Sequence, residues 1–241
     1  MSFRKSVSIR FKGLRSYGRF KKRYDVINYF LRARNCETYL EIGVGSGRCM
    51  ERVQSGRKIG VDPSPRRVLA EWEMHQMTSD AFFATNTSKF DLIFIDGLHT
   101  SDQVIKDIFN ALAALAKNGV IAVHDCNPMT EEAQVRDRGV ASKGEWSGDV
   151  WKAIVFFRKS LSDVFCRVFP FDHGVAVIIP HHYETLPVYT PEIEREALQF
   201  FREVTWADLH QDRKNLLGLM ENRSDFEREF RNEQLKRMVS Q

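Results

Sequence analysis

Apolar residues occur in short runs that alternate with amphipathic stretches. Four runs predict buried strands: residues 39–42, 58–62, 90–96 and 120–125. Helical spacing of apolar positions predicts one helix over residues 22–34 and another from Ser101 or Asp102 through residue 116. Strands that alternate with helices predict an α/β sandwich around a mostly parallel sheet.

The remaining elements complete this pattern. We expect a helix over residues 66–73, then a polar strand that ends near residues 79–82. Residues 150–159 have a helical pattern, and the runs at residues 164–169 and 174–179 predict a closing antiparallel pair. The sequence thus predicts a Rossmann-like sheet of seven strands with an antiparallel C-terminal hairpin and helices on both faces. Residues 126–148 show little periodicity, which is typical of a long functional loop.

Length and composition indicate a soluble globular protein. The 241 residues, 43% of them hydrophobic, are enough for one sizeable domain with its own core. Neither a membrane-spanning apolar run nor a signal-peptide core is present in the sequence, and the four scattered cysteines form no C-x-x-C pair. We therefore expect a cytoplasmic protein without a transmembrane segment.

The charge is unevenly distributed. Residues 1–23 contain nine basic residues and no acidic one, which leaves the rest of the chain with a formal charge of −5. We predict a basic N-terminal arm at residues 1–23, a catalytic domain at 24–180 and a helical C-terminal extension at 181–241. An arm of this kind could bind a membrane surface or nucleic acid, or could order against a second subunit or near the active site.

A glycine-rich turn follows the first predicted strand. Glu41 ends the strand, and Gly43, Gly45 and Gly47 precede a helix that starts near Arg48. This arrangement brings backbone close to a nucleotide-like ligand. The spacing differs from the G-x-G-x-x-G of dinucleotide sites, and a carboxylate at the strand end favours a cation over a pyrophosphate.

Three further aspartates end predicted strands. Asp62 closes the second strand, where this architecture places a carboxylate to accept ribose hydroxyls, although it could also cap the next helix. Asp96 and Asp125 end two strands that would be neighbours, and two carboxylates that meet without a basic partner raise one another's pKa unless a cation lies between them. Hard oxygen ligands favour Mg²⁺, with Mn²⁺ or Ca²⁺ as alternatives.

The glycine motif resembles that of class I S-adenosylmethionine-dependent methyltransferases, over about residues 34–180. The segment from Ile95 to His99, with His124 and Asp125, is similar to the metal-dependent O-methyltransferases of the macrocin type, which act on sugar hydroxyls. The resemblance implies S-adenosylmethionine as cofactor and Mg²⁺ or another divalent cation as metal. The residues it implies for the cofactor are Glu41, Gly43, Gly45, Gly47, Asp62, Asp80, Ala81 and Asp96.

The same resemblance implies roles in catalysis. Asp96 and Asp125 would hold the metal, and His124, which stands where an acidic ligand is often found, could complete the set. Asp96 would also act in catalysis, and His99 would be the general base that accepts the proton of the acceptor hydroxyl. The alternatives are a local hydrogen bond for His99, and capping with cofactor contact for the aspartates.

Two tryptophans flank a Gly-Asp turn in the long loop. Trp146 and Trp151 could stack on the apolar face of a sugar while Asp149 and Lys152 bind its hydroxyls. Alternatively, Trp151 anchors a helix in the core and Trp146 belongs to a lid.

We therefore expect an enzyme that methylates a hydroxyl of a small molecule or glycan, with a homo-oligomer possible. A nucleic-acid methyltransferase is disfavoured because the sequence has no D-P-P-Y or N-P-P-Y segment after the fourth strand and no catalytic Pro-Cys. A third hypothesis is a non-catalytic cofactor-binding scaffold.

Overall fold

The computed structural model describes residues 20–139 and 145–239. Most of the predicted basic arm, up to residue 19, lies outside these residues. Among the described residues, no helix combines the length and apolar character needed to cross a bilayer.

The centre of the fold is a mixed sheet of seven strands. The strands are β1 Thr38–Ile42, β2 Arg57–Val61, β3 Glu73–His75, β4 Phe90–Ile95, β5 Leu115–Val123, β6 Val164–Phe169 and β7 Val175–Pro180. They lie in the order β3-β2-β1-β4-β5-β7-β6. β1 to β5 are parallel, and β7 runs antiparallel to both β5 and β6. The predicted Rossmann-like sheet with an antiparallel C-terminal hairpin is confirmed.

Helices cover both faces of this sheet. They are α1 Arg23–Ala33, α2 Arg48–Arg52, α3 Ser79–Thr85, α4 Ser101–Ala113, α5 Val150–Ser160, α6 Pro191–Glu203, α7 Trp206–Leu217 and α8 Arg223–Val239. Alternate strand residues point to opposite faces, so that Ile93 of β4 packs with α4 and α5 while Phe94 packs with α1 and α8. Both faces of β4 are therefore buried, as its continuous apolar run predicts.

Two predicted elements between β2 and β4 are wrong. Residues 66–72 are not helical, and Trp72 instead packs its ring over Gly47. The predicted polar strand ending near residues 79–82 is helix α3, because the Thr78 hydroxyl caps it by accepting from the Ala81 N–H at 3.3 Å. The strand in this part of the chain is the short edge strand β3, which ends at His75, before α3 begins at Ser79.

The end of α4 also differs from expectation. The helix ends at Ala113, and β5 begins at Leu115, so the Lys117-Asn118-Gly119 segment lies within the strand region rather than at the helix end. Asn118 takes a left-handed conformation with φ of 67° there. Asparagine tolerates this conformation better than most residues. The backbone can therefore change direction at Asn118, within the strand region that begins at Leu115.

The β6–β7 turn lies at the carboxyl edge of the parallel strands. β7 is antiparallel to β5, with Ala176 beside Val123, so the residues just before β7 lie next to those just after β5. The segment before α1 is anchored on the same turn, because the Phe20 ring packs edge-on against Phe169 at 5.3 Å between centroids. The start of α1 is thereby held beside the ends of β4 and β5.

The backbone just after β1 approaches the end of β4 closely at Gly43. Its φ is +87°, and a Cβ there would overlap the Asp96 carbonyl oxygen. We expect Gly43→Ala to lower the free energy of unfolding by about 1–3 kcal/mol, because the added methyl meets backbone that cannot move aside. Urea denaturation would measure the change.

Gly56→Ala is the matched control for this substitution. A Cβ at Gly56 would lie 3.7 Å from its nearest neighbour, the Glu37 carbonyl oxygen, in ordinary van der Waals contact. Equal stability of the Gly43 and Gly56 variants would contradict the steric argument.

Candidate active site

The glycine turn is tied to the end of β2 by Asp62. One carboxylate oxygen of Asp62 accepts from the Gly45 N–H at 2.7 Å, and the other accepts from the Ser64 N–H at 2.7 Å. The side chain therefore holds the two loops together at the carboxyl ends of β1 and β2. Each carboxylate oxygen can accept a further hydrogen bond, which leaves room for a ribose hydroxyl. Contact of Asp62 with a ribose stays a prediction.

Glu41 is enclosed beneath the turn. It is 1% exposed, and its carboxyl accepts a hydrogen bond from the Tyr39 hydroxyl at 2.6 Å. Burial raises the pKa of Glu41 to about 8, which the hydrogen bond from Tyr39 only partly offsets. Near neutral pH this group is therefore mostly protonated, and a cation placed beside it would favour its ionised form.

Asp96, His124 and Asp125 meet at the ends of β4 and β5. His124 Nδ1 lies 3.1 Å from Asp96 Oδ1 and 2.9 Å from Asp125 Oδ2. One ligand atom from each of the three residues falls within 4.8 Å of the other two, a spacing that could hold a metal ion. Asp125 adopts a left-handed backbone with φ of 59°, and strained conformations of this kind concentrate at functional sites.

The tautomer of His124 follows from its neighbours. Its Nε2 lies 2.7 Å from the Asp172 carbonyl oxygen, which can only accept, so Nε2 carries a hydrogen. Nδ1 then faces two carboxylates and needs positive charge, either its own proton or a bound cation. Burial alone would lower the pKa of His124, but the carboxylates of Asp96 and Asp125 outweigh it and raise the pKa to about 10.

A second cation reaches the cluster from α1. Arg23 Nη1 lies 2.6 Å from Asp96 Oδ2, and its Nε lies 3.0 Å from Asp172 Oδ2. Lys22 Nζ lies 3.0 Å from the other Asp172 oxygen. Burial would raise the pKa of Asp172, yet Arg23 and Lys22 bring it down to about 2. Burial likewise works against ionisation of Asp96, but His124, His99 and Arg23 hold its pKa well below the usual range.

His99 lies on the other side of the carboxylate pair. Its Nε2 is 3.5 Å from Asp96 Oδ1 and 3.3 Å from Asp125 Oδ2. The imidazole stacks on Trp146, with ring centroids 4.7 Å apart, while Nδ1 is buried without a hydrogen-bond partner among the described residues. Gly148 packs against the His99 backbone so closely that a Cβ would overlap the His99 carbonyl oxygen. The segment 146–148 therefore covers His99.

The structure gives the other predicted sugar-binding residues structural contacts. Trp151 is fully buried in the core, and its Nε1–H donates to Gln134 Oε1 at 2.8 Å, so its ring has no face open to a ligand. Asp149 is 5% exposed and accepts from the Ser101 N–H at 2.7 Å at the start of α4. Lys152 Nζ donates to the Phe201 carbonyl oxygen at 2.7 Å, which ties α5 to α6.

The expected adenine contacts lie at the start of α3. Asp80 is paired with Lys106 at 2.6 Å and accepts from Gln103 at 3.1 Å, both on α4. Ala81 is exposed, and its N–H is taken by the cap from Thr78. Their contact with a cofactor stays a prediction, although the Asp80 carboxylate already has two partners.

Arg23 and Asp172 are the site residues that sequence reasoning missed. Arg23 was counted in the basic arm, and Asp172 stands in a turn with no motif of its own. The signal was topological, because a strand antiparallel to β5 must begin at the carboxyl edge where the site lies. The residues before it, Asp172 to Gly174, all have positive φ, which brings this turn close to Asn127.

The burial of Glu41 predicts a pH dependence of stability. Its pKa is about 8 in the folded protein and near 4.5 in the unfolded chain, so the folded state binds the proton more tightly between these values. The free energy of unfolding should fall in this window as pH rises, by up to about 1.4 kcal/mol per pH unit. Glu41→Gln should lack this contribution, as urea denaturation at several pH values would measure.

Glu73→Gln serves as the control, because Glu73 is half exposed and paired with Arg57 on the surface. If the stability of wild type and Glu41→Gln changed in parallel with pH, Glu41 would not be the titrating group.

The contacts of Asp149 predict that it stabilises the fold. Asp149→Ala would leave the buried Ser101 N–H without its acceptor and lower the free energy of unfolding by about 1–3 kcal/mol. Asp102→Ala removes a carboxylate that pairs with the same Arg136 but is half exposed, and should cost less than about 1 kcal/mol. Urea denaturation of both variants would test this; a loss no larger for Asp149 would contradict the prediction.

Comparison with known proteins places this site within a known fold. Residues 40–126, from β1 to just past Asp125, match a family model described as a methyltransferase domain. None of the curated proteins compared matches the chain.

Two solved structures share the fold at low sequence identity. The methyltransferase PaMTH1 of Podospora anserina, bound to SAH, is 18% identical, with a TM-score of 0.52 over 64% of this chain and 76% of that one. Cofactor-bound Rv0187 from MTB is 15% identical, with a TM-score of 0.52 over 66% of this chain and 80% of that one. Residues 40–126 are thus similar to a methyltransferase domain, and the chain shares the fold of these two structures.

Proposed function

We propose that this protein is an S-adenosylmethionine-dependent O-methyltransferase that uses a divalent cation to methylate a hydroxyl of a small molecule or glycan. The observation that carries the proposal is the meeting of Asp96, His124, Asp125 and His99 beside the glycine turn. In open α/β sheets, ligands bind at this carboxyl edge of the strands.

The chain's own groups suit the two ends of the cofactor, which would supply the methyl group. Gly43, Gly45 and Gly47 carry no side chain, which favours close approach of the turn backbone to a ligand, and Glu41 below the turn offers a carboxyl that a cationic amino group would ionise. The position of Asp62 just after β2 supports its proposed role as the acceptor for the ribose hydroxyls.

The cluster's donors fit a divalent cation. Asp96, His124 and Asp125 would hold it, since His124 Nε2–H is fixed on the Asp172 carbonyl and Nδ1 faces the two carboxylates. The two carboxylates suit Mg²⁺ or Mn²⁺, and the softer imidazole ligand weakens the preference for Mg²⁺. A cation held there would act as a Lewis acid toward the acceptor hydroxyl.

His99 is the group proposed to accept the hydroxyl proton. Its Nδ1 is enclosed, so the nitrogen available to an acceptor is Nε2, on the side of Asp96 and Asp125. Stacking on Trp146 fixes the plane of the His99 ring, and close packing of Gly148 fixes the position of the His99 backbone. Trp146, which is only partly buried, is the remaining candidate for contact with an apolar face of the acceptor.

Calorimetric titration with S-adenosylhomocysteine tests the cofactor site. We expect micromolar binding by wild type and a loss on the order of 10–100-fold in Asp62→Asn, the effect of removing a charged hydrogen-bond acceptor. Glu51→Gln should bind S-adenosylhomocysteine as wild type does, because Glu51 is an exposed residue of α2 whose carboxylate pairs with Arg67 on the surface. A wild type that binds no S-adenosylhomocysteine would overturn the proposal.

Titration with Mg²⁺ and Mn²⁺ tests the cation separately. Asp125→Asn should remove the metal signal and keep S-adenosylhomocysteine binding, because asparagine tolerates the left-handed backbone at this position.

Methyl transfer from S-adenosylmethionine to sugars and to matched amino sugars would distinguish oxygen from nitrogen as the acceptor atom. Methylation of the amines alone would contradict O-methylation.

A further inference from the structure

We propose that Arg23 is a resident counter-ion of Asp96 that limits how tightly the Asp96–His124–Asp125 cluster holds a divalent cation. The inference rests on the proposed function in that it takes this cluster as the cation site. It assigns the first residue of α1, outside the matched methyltransferase segment, to the control of that site.

Arg23 binds one of the two carboxylate oxygens of Asp96 and leaves the other facing the cluster. Its Nη1 lies 2.6 Å from Oδ2, whereas Oδ1 is the oxygen that faces His124 at 3.1 Å and His99 at 3.5 Å. While Arg23 is in place, Asp96 can offer the cluster one oxygen only. Removal of the guanidinium would free the second oxygen for a cation.

Arg23 is held firmly in this position. Asp172 Oδ2 accepts from the Arg23 backbone N–H at 2.9 Å and from its Nε–H at 3.0 Å. The Asp172 side chain is 4% exposed, and Phe20 packs on the neighbouring Phe169. The guanidinium is thus part of the folded site and not a mobile surface group.

The charges around the cluster explain the direction of the effect. Arg23 pairs with both Asp96 and Asp172, whereas Lys22 pairs with Asp172. A dication that enters the cluster is repelled by the nearby guanidinium, since a like charge within a few Å disfavours it. Without Arg23, two poorly solvated carboxylates lack their cation, and a metal ion would replace it.

Titration of the full-length chain with Mn²⁺ and Mg²⁺ tests the proposal. We expect Arg23→Met to bind Mn²⁺ on the order of tenfold more tightly than wild type, because the repulsion from a positive charge beside the site is removed. Arg23→Lys keeps the charge without the guanidinium fork, and should fall between the two. Lys22→Met removes a half-exposed charge that pairs with Asp172 and not with Asp96 among the described residues, so the metal affinity of this variant should stay within about twofold of wild type.

The outcomes separate this proposal from the proposed function. Provided that Arg23→Met is folded, tighter binding by this variant with no change in Lys22→Met supports the inference, even if wild type itself binds no metal. If wild type binds metal and Arg23→Met binds no more tightly, the inference is overturned while the cation site stands. If neither binds, both fail. Should Arg23→Met not fold, the affinity of Arg23→Lys decides, and a value equal to or weaker than wild type overturns the inference.

Discussion

The structure depends on the balance of buried charge at the carboxyl edge of its sheet. Three carboxylates, Asp96, Asp125 and Asp172, lie there with little access to water, and each would be costly to bury alone. His124, Arg23 and Lys22 supply the compensating charges from two different parts of the chain. The same ion pairs therefore fix the start of α1, the ends of β4 and β5 and the β6–β7 turn relative to one another.

The glycine turn and the acidic cluster are parts of one construction. The close approach of Gly43 to Asp96 joins the ends of β1 and β4, so a ligand on the turn is a neighbour of the cluster. Parallel strands place both groups at one edge, and the Gly45 N–H on Asp62 extends this edge to β2. Asp96 thus belongs to both regions, because its backbone contacts the glycine turn and its side chain belongs to the acidic cluster.

The wall opposite the turn is built from the loop before α5. Asp149 caps α4 through Ser101, and Trp151 is buried in the core beneath it. These two anchors hold Trp146 on the His99 ring, with 4.7 Å between the ring centroids. The two tryptophans therefore differ in position, since Trp151 lies in the core and Trp146 is only partly buried.

The sequence by itself determined the sheet, the glycine turn and the strand-end acids, because apolar period and glycine spacing are local properties. It placed Asp96, His124, Asp125 and His99 at one edge, since parallel strands end together. Local patterns misjudged residues 66–82, where the packing of Trp72 and the Thr78 cap override propensity. Only the tertiary structure decided that Arg23 and Asp172 join the cluster and that Trp151 and Asp149 serve the core. Ion pairs between residues 149 positions apart, and the burial of a side chain, depend on contacts that no local pattern encodes.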